Sequence, residues 1–167
     1  SSVPHKTEQG LVKLGVQDEE GVAAIFRDFK GRIPAGDGVL VARHASGRRE
    51  LALGARLDPA FGPVVLLGDG GVYLEALKDF RLLIPPFGEE DVRAALDELR
   101  IAPLLEGVGG EPPLDVGAFA RMAVKVGALM LAAGGSIASV DINPVMLFER
   151  GRGVLAVDAL VERRQGT

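Results

Sequence analysis

Apolar residues recur along this chain with two different periods. Val22, Ile25, Phe26 and Phe29 fall at i, i+3, i+4 and i+7, one apolar stripe of a helix. Asp18 stands before it as an N-cap, with Glu19 and Glu20 in the first turn, where the helix dipole favours anions. Gly31 and Pro34 end it. A second helix is predicted over 89–100, with Val92, Ala95, Leu96 and Leu99 at helical spacing and Pro103 as its stop. A third runs from the cap Asp115 to about Ala133, carrying Val116, Phe119, Ala123, Val126 and Met130, and closes on Gly134 and Gly135.

Between these lie shorter apolar runs with strand character. They cover 11–16, 39–42, 50–56, 64–67, 72–75 and 80–84, then 137–148 and 153–160. The run 64–67 is continuously apolar, as in a central strand. Short turns join many neighbours, so the pattern predicts an α+β domain, a mostly antiparallel sheet with packed helices.

Composition narrows the function. The chain has 167 residues, 47% of them hydrophobic, enough for one ordinary domain or two small lobes. A net charge of −4 without a basic run argues against nucleic acid as a partner. There is no cysteine and there are two histidines. Disulfides, thiolate zinc sites and cysteine nucleophiles are thereby excluded, and a reducing cytoplasmic setting is expected. The longest uncharged apolar stretch, from Val126 to Val140, falls short of the ~20 residues a bilayer crossing needs. No membrane role is expected.

The C-terminal hairpin carries the most specific local argument. A turn at Glu149-Arg150-Gly151-Arg152 places Phe148 opposite Gly153, Asn143 opposite Asp158 and Asp141 opposite Leu160. Directly opposed side chains share a face, and Asp141 and Asn143, two apart, share it too. Val140, Ile142, Val157 and Ala159 are then expected to point into the core. Two carboxylates and an amide oxygen suit a hard cation such as Mg²⁺, which completes its shell with phosphate and water. The same residues also fit the polar face of an ordinary edge hairpin, and a one-residue bulge would turn Asp158 away.

Glycine is abundant, 23 residues, about twice the usual ~7%. Gly68-Asp69-Gly70-Gly71 follows an apolar strand, and backbone N–H groups in such a turn can cradle an anion. It is neither a Walker A loop nor G-x-G-x-x-G. Glu75 falls a few residues on. His5, beside Lys6 in a polar stretch, can accept a phosphoryl group if held in line; a solvated loop histidine is the plainer alternative. His44, next to Arg43, reads as a surface residue.

Taken in order, these segments resemble a known family. They are His5-Lys6-Thr7 with Gly10, Arg49-Glu50 to Gly54, Asp58-Pro59-Ala60-Phe61-Gly62-Pro63, Gly70-Gly71-Val72-Tyr73-Leu74-Glu75, Lys78-Asp79, Asp141-Ile142-Asn143-Pro144 and Asp158-Ala159. The series resembles the ATP-grasp, beta-subunit-like region of NDP-forming acyl-CoA synthetases, relatives of ADP-forming acetyl-CoA synthetase and of succinyl-CoA synthetase. The resemblance runs over essentially the whole chain, 1–167, read as part of an ATP-grasp domain of a longer synthetase.

The resemblance implies a reversible reaction: acyl-CoA, ADP and phosphate give carboxylic acid, ATP and CoA. Phosphate passes through an acyl phosphate and a phosphohistidine. His5 matches a second, relaying histidine, with Lys6 beside it. Asn143 and Asp158 match the Mg²⁺-binding pair, with Asp141 adjacent. Gly70, Gly71 and Glu75 match a segment near phosphate or metal. The implied cofactors are Mg²⁺ and ATP or ADP, with CoA bound by a domain outside this chain. The implied partners are CoA-binding and ligase domains of the same polypeptide or of a second subunit; a homo-oligomer stays open. Leu11 replaces a family glycine, and the family's upstream lysine-bearing strand is not in this sequence. The chain by itself is therefore expected to bind ATP weakly or not at all and to make no acyl-CoA. The competing reading is a non-catalytic binding or regulatory module that retains the ATP-grasp fold.

Overall fold

The computed structural model describes residues 9–70 and 79–164. The chain divides into two compact units, Ser1–Ala45 and Ser46–Thr167. The first contains α1, Glu19–Lys30, started as expected: Asp18 accepts the Gly21 N–H at 2.7 Å, and Gly31 caps the other end. The two strands predicted in this unit are not formed. Residues 11–16 and 39–42 have no regular structure, and Val12, Leu14, Val16, Leu40 and Val41 are exposed. A period-two run becomes a strand only against a ladder partner, and no described strand pairs with either segment.

The second unit is an antiparallel sheet with helices on one face. Its elements are β1 Arg49–Asp58, β2 Gly62–Asp69, β3 Phe80–Leu83, α2 Glu89–Asp97, α3 Ala102–Glu106, α4 Val116–Ala132, β4 Ile137–Leu147, β5 Val154–Ala156 and β6 Ala159–Arg163. Among the described residues the strand order is β3-β2-β1-β4-β5, with β6 also paired to β4. Every pairing is antiparallel. The β1–β2 hairpin turns on Asp58, whose Oδ1 accepts the N–H groups of Ala60 and Phe61 at 2.9 and 3.1 Å. Gly62 follows at φ +75°, a conformation that favours glycine.

Leu51, Leu53, Val65, Leu67, Val145 and Leu147 on the sheet meet Val92, Leu96, Phe119, Ala123 and Met130 on α2 and α4 in one buried cluster. Pro103 does not simply end a helix, as expected; it opens the short α3, where its missing N–H costs nothing. No described helix is long and apolar enough to cross a membrane.

β4 carries a local irregularity that its sequence does not announce. Leu53 pairs with Ile142 and Leu51 with Val145, so β4 holds one extra residue at Asn143–Pro144. That peptide bond is cis. The inward positions therefore run Val140 and Ile142, then Val145 and Leu147. Contrary to expectation, Val157 is half exposed and Ala159 is exposed, so neither enters the core. α4 packs on β1, β2 and β4, and β6 lies beyond that cover with every residue exposed.

Candidate functional site

The hairpin register is the one the turn dictates. Arg152 N–H donates to Glu149 O at 2.8 Å, closing the turn, and Phe148 N–H donates to Gly153 O at 3.3 Å. Beyond it Leu147 pairs with Val154, Met146 with Leu155 and Val145 with Ala156. After the interruption the same register resumes with Ile142 opposite Ala159 and Asp141 opposite Leu160. Val157 N–H donates to Pro144 O at 3.0 Å between the two stretches. The irregularity in β4 is thus matched by one at Val157–Asp158. Asn143–Pro144 thus lie across from Val157–Asp158, a stretch without ladder pairs between two paired ones, and such irregularities re-aim side chains.

Asp141 is exposed, Asn143 half-buried and Asp158 exposed. Asp141 lies between Gly54 of β1 and Leu160 of β6 in one cross-strand row. Alternation puts this row on the sheet face away from Leu53 and Ile142. Gly54 contributes no side chain to that row. Among the described residues no group of three or more His, Asp or Glu side chains is disposed to hold a metal by itself. The two carboxylates and one amide would supply at most half of an octahedral cation's ligands. That fits Mg²⁺, which keeps waters and takes substrate phosphates, better than Ca²⁺ in an all-protein cage.

The glycine turn is described only up to Gly70. Gly70 donates its N–H to Glu50 O at 3.0 Å, which leaves that donor unavailable to an anion. A Cβ at residue 70 would come within 2.7 to 2.8 Å of the backbone of Glu50 and Leu51, so close strand approach alone requires glycine there. His5, Lys6, Gly71 and Glu75 lie outside the described residues.

Two carboxylates outside the expected site, Asp69 and Asp115, are buried beside these elements. Asp69 accepts both Arg49 Nη2 contacts, at 3.1 and 2.9 Å, and is 4% exposed in its side chain. A single Asp between glycines gave no signal of that pairing. Asp115 was legible only as a helix cap. It does accept Ala118 N–H at 3.0 Å, but its Oδ2 also accepts Gly151 and Gly153 N–H at 3.0 and 2.8 Å. Burial pushes its carboxyl up. The N–H donors of Gly153, Ala118 and Gly151, helped by Arg121, outweigh that and hold it below the usual carboxylate range.

Comparison with known proteins agrees with this architecture. A family model described as an ATP-grasp domain matches residues 1–162. A trans-feruloyl-CoA synthase from an unknown prokaryotic organism is 39% identical over 167 residues, covering 96% of this chain and 24% of that protein. The beta subunit of acetate–CoA ligase (ADP-forming) I of Pyrococcus furiosus is 35% identical, covering 93% of this chain and 68% of the subunit. Among solved structures, a dinucleotide forming acetyl-coenzyme A synthetase 1 of Ca. Korarchaeum cryptofilum, in complex with coenzyme A and Mg-AMPPCP, superposes with a TM-score of 0.86. It is 31% identical, over 98% of this chain and 72% of that one. The chain spans about a quarter of the synthase's length.

Proposed function

The chain belongs to the ATP-grasp domain family, and from that premise we propose that it is the ATP-grasp portion of an NDP-forming acyl-CoA synthetase. Its part is to bind the magnesium nucleotide and pass a phosphoryl group. What supports this reading is the register on either side of the irregularity, Val145 with Ala156 and Ile142 with Ala159, which leaves Asn143–Pro144 across from Val157–Asp158, with Asp141 in the adjoining row. Relatives of the same family are ADP-forming acyl-CoA ligases. Their greater length supports CoA-binding and ligase domains, in the same polypeptide or a second subunit, as partners. The reading places the reaction in the cytosol, which a cysteine-free chain suits.

Asp141, Asn143 and Asp158 would hold Mg²⁺ through two carboxylates and an amide oxygen. Bound there, the ion supplies charge neutralisation on the nucleotide phosphates. The chain's own residues do the rest. Asp141 and Asp158 set where that charge sits. Lys6 supplies a cation next to His5 in the sequence. With ATP as donor, a ring nitrogen of His5 would attack the γ-phosphorus: the P–N bond forms as the P–O bond to the β-phosphate breaks and ADP leaves. The reverse step, ADP attacking the phosphohistidine, breaks the P–N bond and re-forms ATP. Positioning and charge account for most of the catalysis in phosphoryl transfer.

The test uses the complete polypeptide that carries this chain, with γ-labelled ATP and Mg²⁺. We expect an acid-labile, alkali-stable protein label that is strongly reduced by Asn143→Ala, by Asp158→Ala and by His5→Ala. Labelling undiminished by the first two replacements would remove the physical basis of the reading. The chain by itself, given acid, ATP and CoA, should make no acyl-CoA.

A further inference from the structure

The register that would bring Asp158 opposite Asn143 is anchored at one end by a buried group. Beyond the turn, β5 is only Val154–Ala156, and the ladder breaks at Val157–Asp158. β6 is exposed throughout. Little packing therefore tells this stretch of chain which residue should lie opposite which. A slip of one residue would carry Asp158 to the other face.

The turn itself is held from outside the hairpin. Asp115 is 7% exposed. Its Oδ2 takes the N–H groups of Gly151 and Gly153, and its Oδ1 takes Ala118 N–H. Its own N–H donates to Phe148 O at 2.9 Å, Arg150 N–H donates to Pro113 O at 2.9 Å, and Leu114 bridges Glu149. Gly151 and Gly153 adopt φ of +85° and +81°, the left-handed region that lets both N–H groups turn toward one oxygen. A helix N-cap and a hairpin turn are thus fastened by one carboxylate.

We propose that Asp115 is a positioning residue for the nucleotide site: by clamping the Gly151–Gly153 turn, it fixes the register that sets Asp158 opposite Asn143. This rests on the function proposed above. Asp115 touches no ligand and acts only through the hairpin. Outer partners of this kind orient ligating groups, and their loss typically lowers metal affinity about 10–100-fold.

The chain has no cysteine, so introduced pairs report register cleanly. Met146 and Leu155 are directly opposed and belong to neither the core cluster nor the candidate site. We expect Met146→Cys/Leu155→Cys to crosslink readily, and Met146→Cys/Ala156→Cys, one residue out, to crosslink poorly. In an Asp115→Ala background the preference should shift toward the second pair. Mg²⁺–ADP affinity of the complete polypeptide should fall about 10–100-fold, while Val92→Ala, a core change chosen to match the loss of stability, should leave affinity near the parent value. Should Asp115→Ala fail to fold, Asp115→Asn, which keeps one acceptor oxygen, takes its place. Unchanged crosslinking preference, or an affinity loss equalled by Val92→Ala, would overturn the proposal. If Asn143→Ala and Asp158→Ala leave affinity unchanged, the functional reading falls and the positioning role with it. The crosslinking result then still states whether Asp115 sets the register.

Discussion

Asp141 of β4 stands directly opposite Gly54 of β1, so a carboxylate meets bare backbone across that pair. A methyl group at residue 54 would touch only Leu66 Cβ at 3.8 Å and Val140 O at 3.9 Å, both ordinary contacts. The fold does not need glycine there. Gly54→Ala should stabilise the chain by roughly 0.4–1 kcal/mol, through the unfolded state. It should also weaken Mg²⁺–ADP binding, because the added methyl takes space beside Asp141. Denaturant unfolding and a nucleotide titration on this one variant check both halves; a stabilised variant that binds as well as the parent contradicts the second.

Gly70 is the opposite case. Its missing side chain is required by the backbone of Glu50 and Leu51 at 2.7 to 2.8 Å. Gly70→Ala should therefore destabilise by about 1–3 kcal/mol, the usual range for overpacking. Thermal melts followed by circular dichroism measure this, and a melting temperature equal to the parent's would show that the strands move apart at little cost.

Stability should fall in acid through Asp115. Its carboxyl is held below the ordinary value in the folded chain, so the unfolded chain binds the proton more readily. Its stabilising contribution is complete above the ordinary carboxylate pKa of about 4 and is lost as pH falls through the lower folded value. Unfolding free energies between pH 7 and pH 2 should show a steeper acid loss in the parent than in Asp115→Asn. Parallel curves would remove the carboxylate from the account.

Arg49 and Asp69 tie the start of β1 to the end of β2, at 2.9 Å. Arg49→Met leaves the Asp69 carboxylate buried without its partner, a loss of about 3 kcal/mol or more. Replacing both, as in Arg49→Met/Asp69→Leu, should recover most of that. A double-mutant cycle in urea reads the coupling directly; additive losses would mean that the pair contributes nothing beyond its separate side chains.

Local rules made much of this molecule readable. Asp18 and the stripe behind it specified α1, and the turn at Glu149–Arg152 fixed opposed pairs as far away as Asp141 and Leu160. What escaped depended on partners that a linear reading does not contain. The alternating residues of 11–16 and 39–42 look like strands, yet no described strand completes their ladders. Val157 and Ala159 alternate correctly, but α4 lies over β1, β2 and β4 and leaves them exposed. The extra residue at Asn143–Pro144 shows only in the change of pairing between β1 and β4. The second role of Asp115 joins residues far apart in sequence, with the paired glycines of the turn as its one local trace.

The proposed magnesium–nucleotide site is made of Asp141, Asn143 and Asp158. Its most direct test is paramagnetic broadening by Mn²⁺ with ADP of the backbone amide signals of this chain, isotopically labelled within the complete polypeptide. The account predicts broadening centred on Gly54, Asp141, Asn143, Asp158 and Leu160, dependent on ADP and abolished by Asp158→Ala. Broadening centred elsewhere, or unaltered by that replacement, would contradict it.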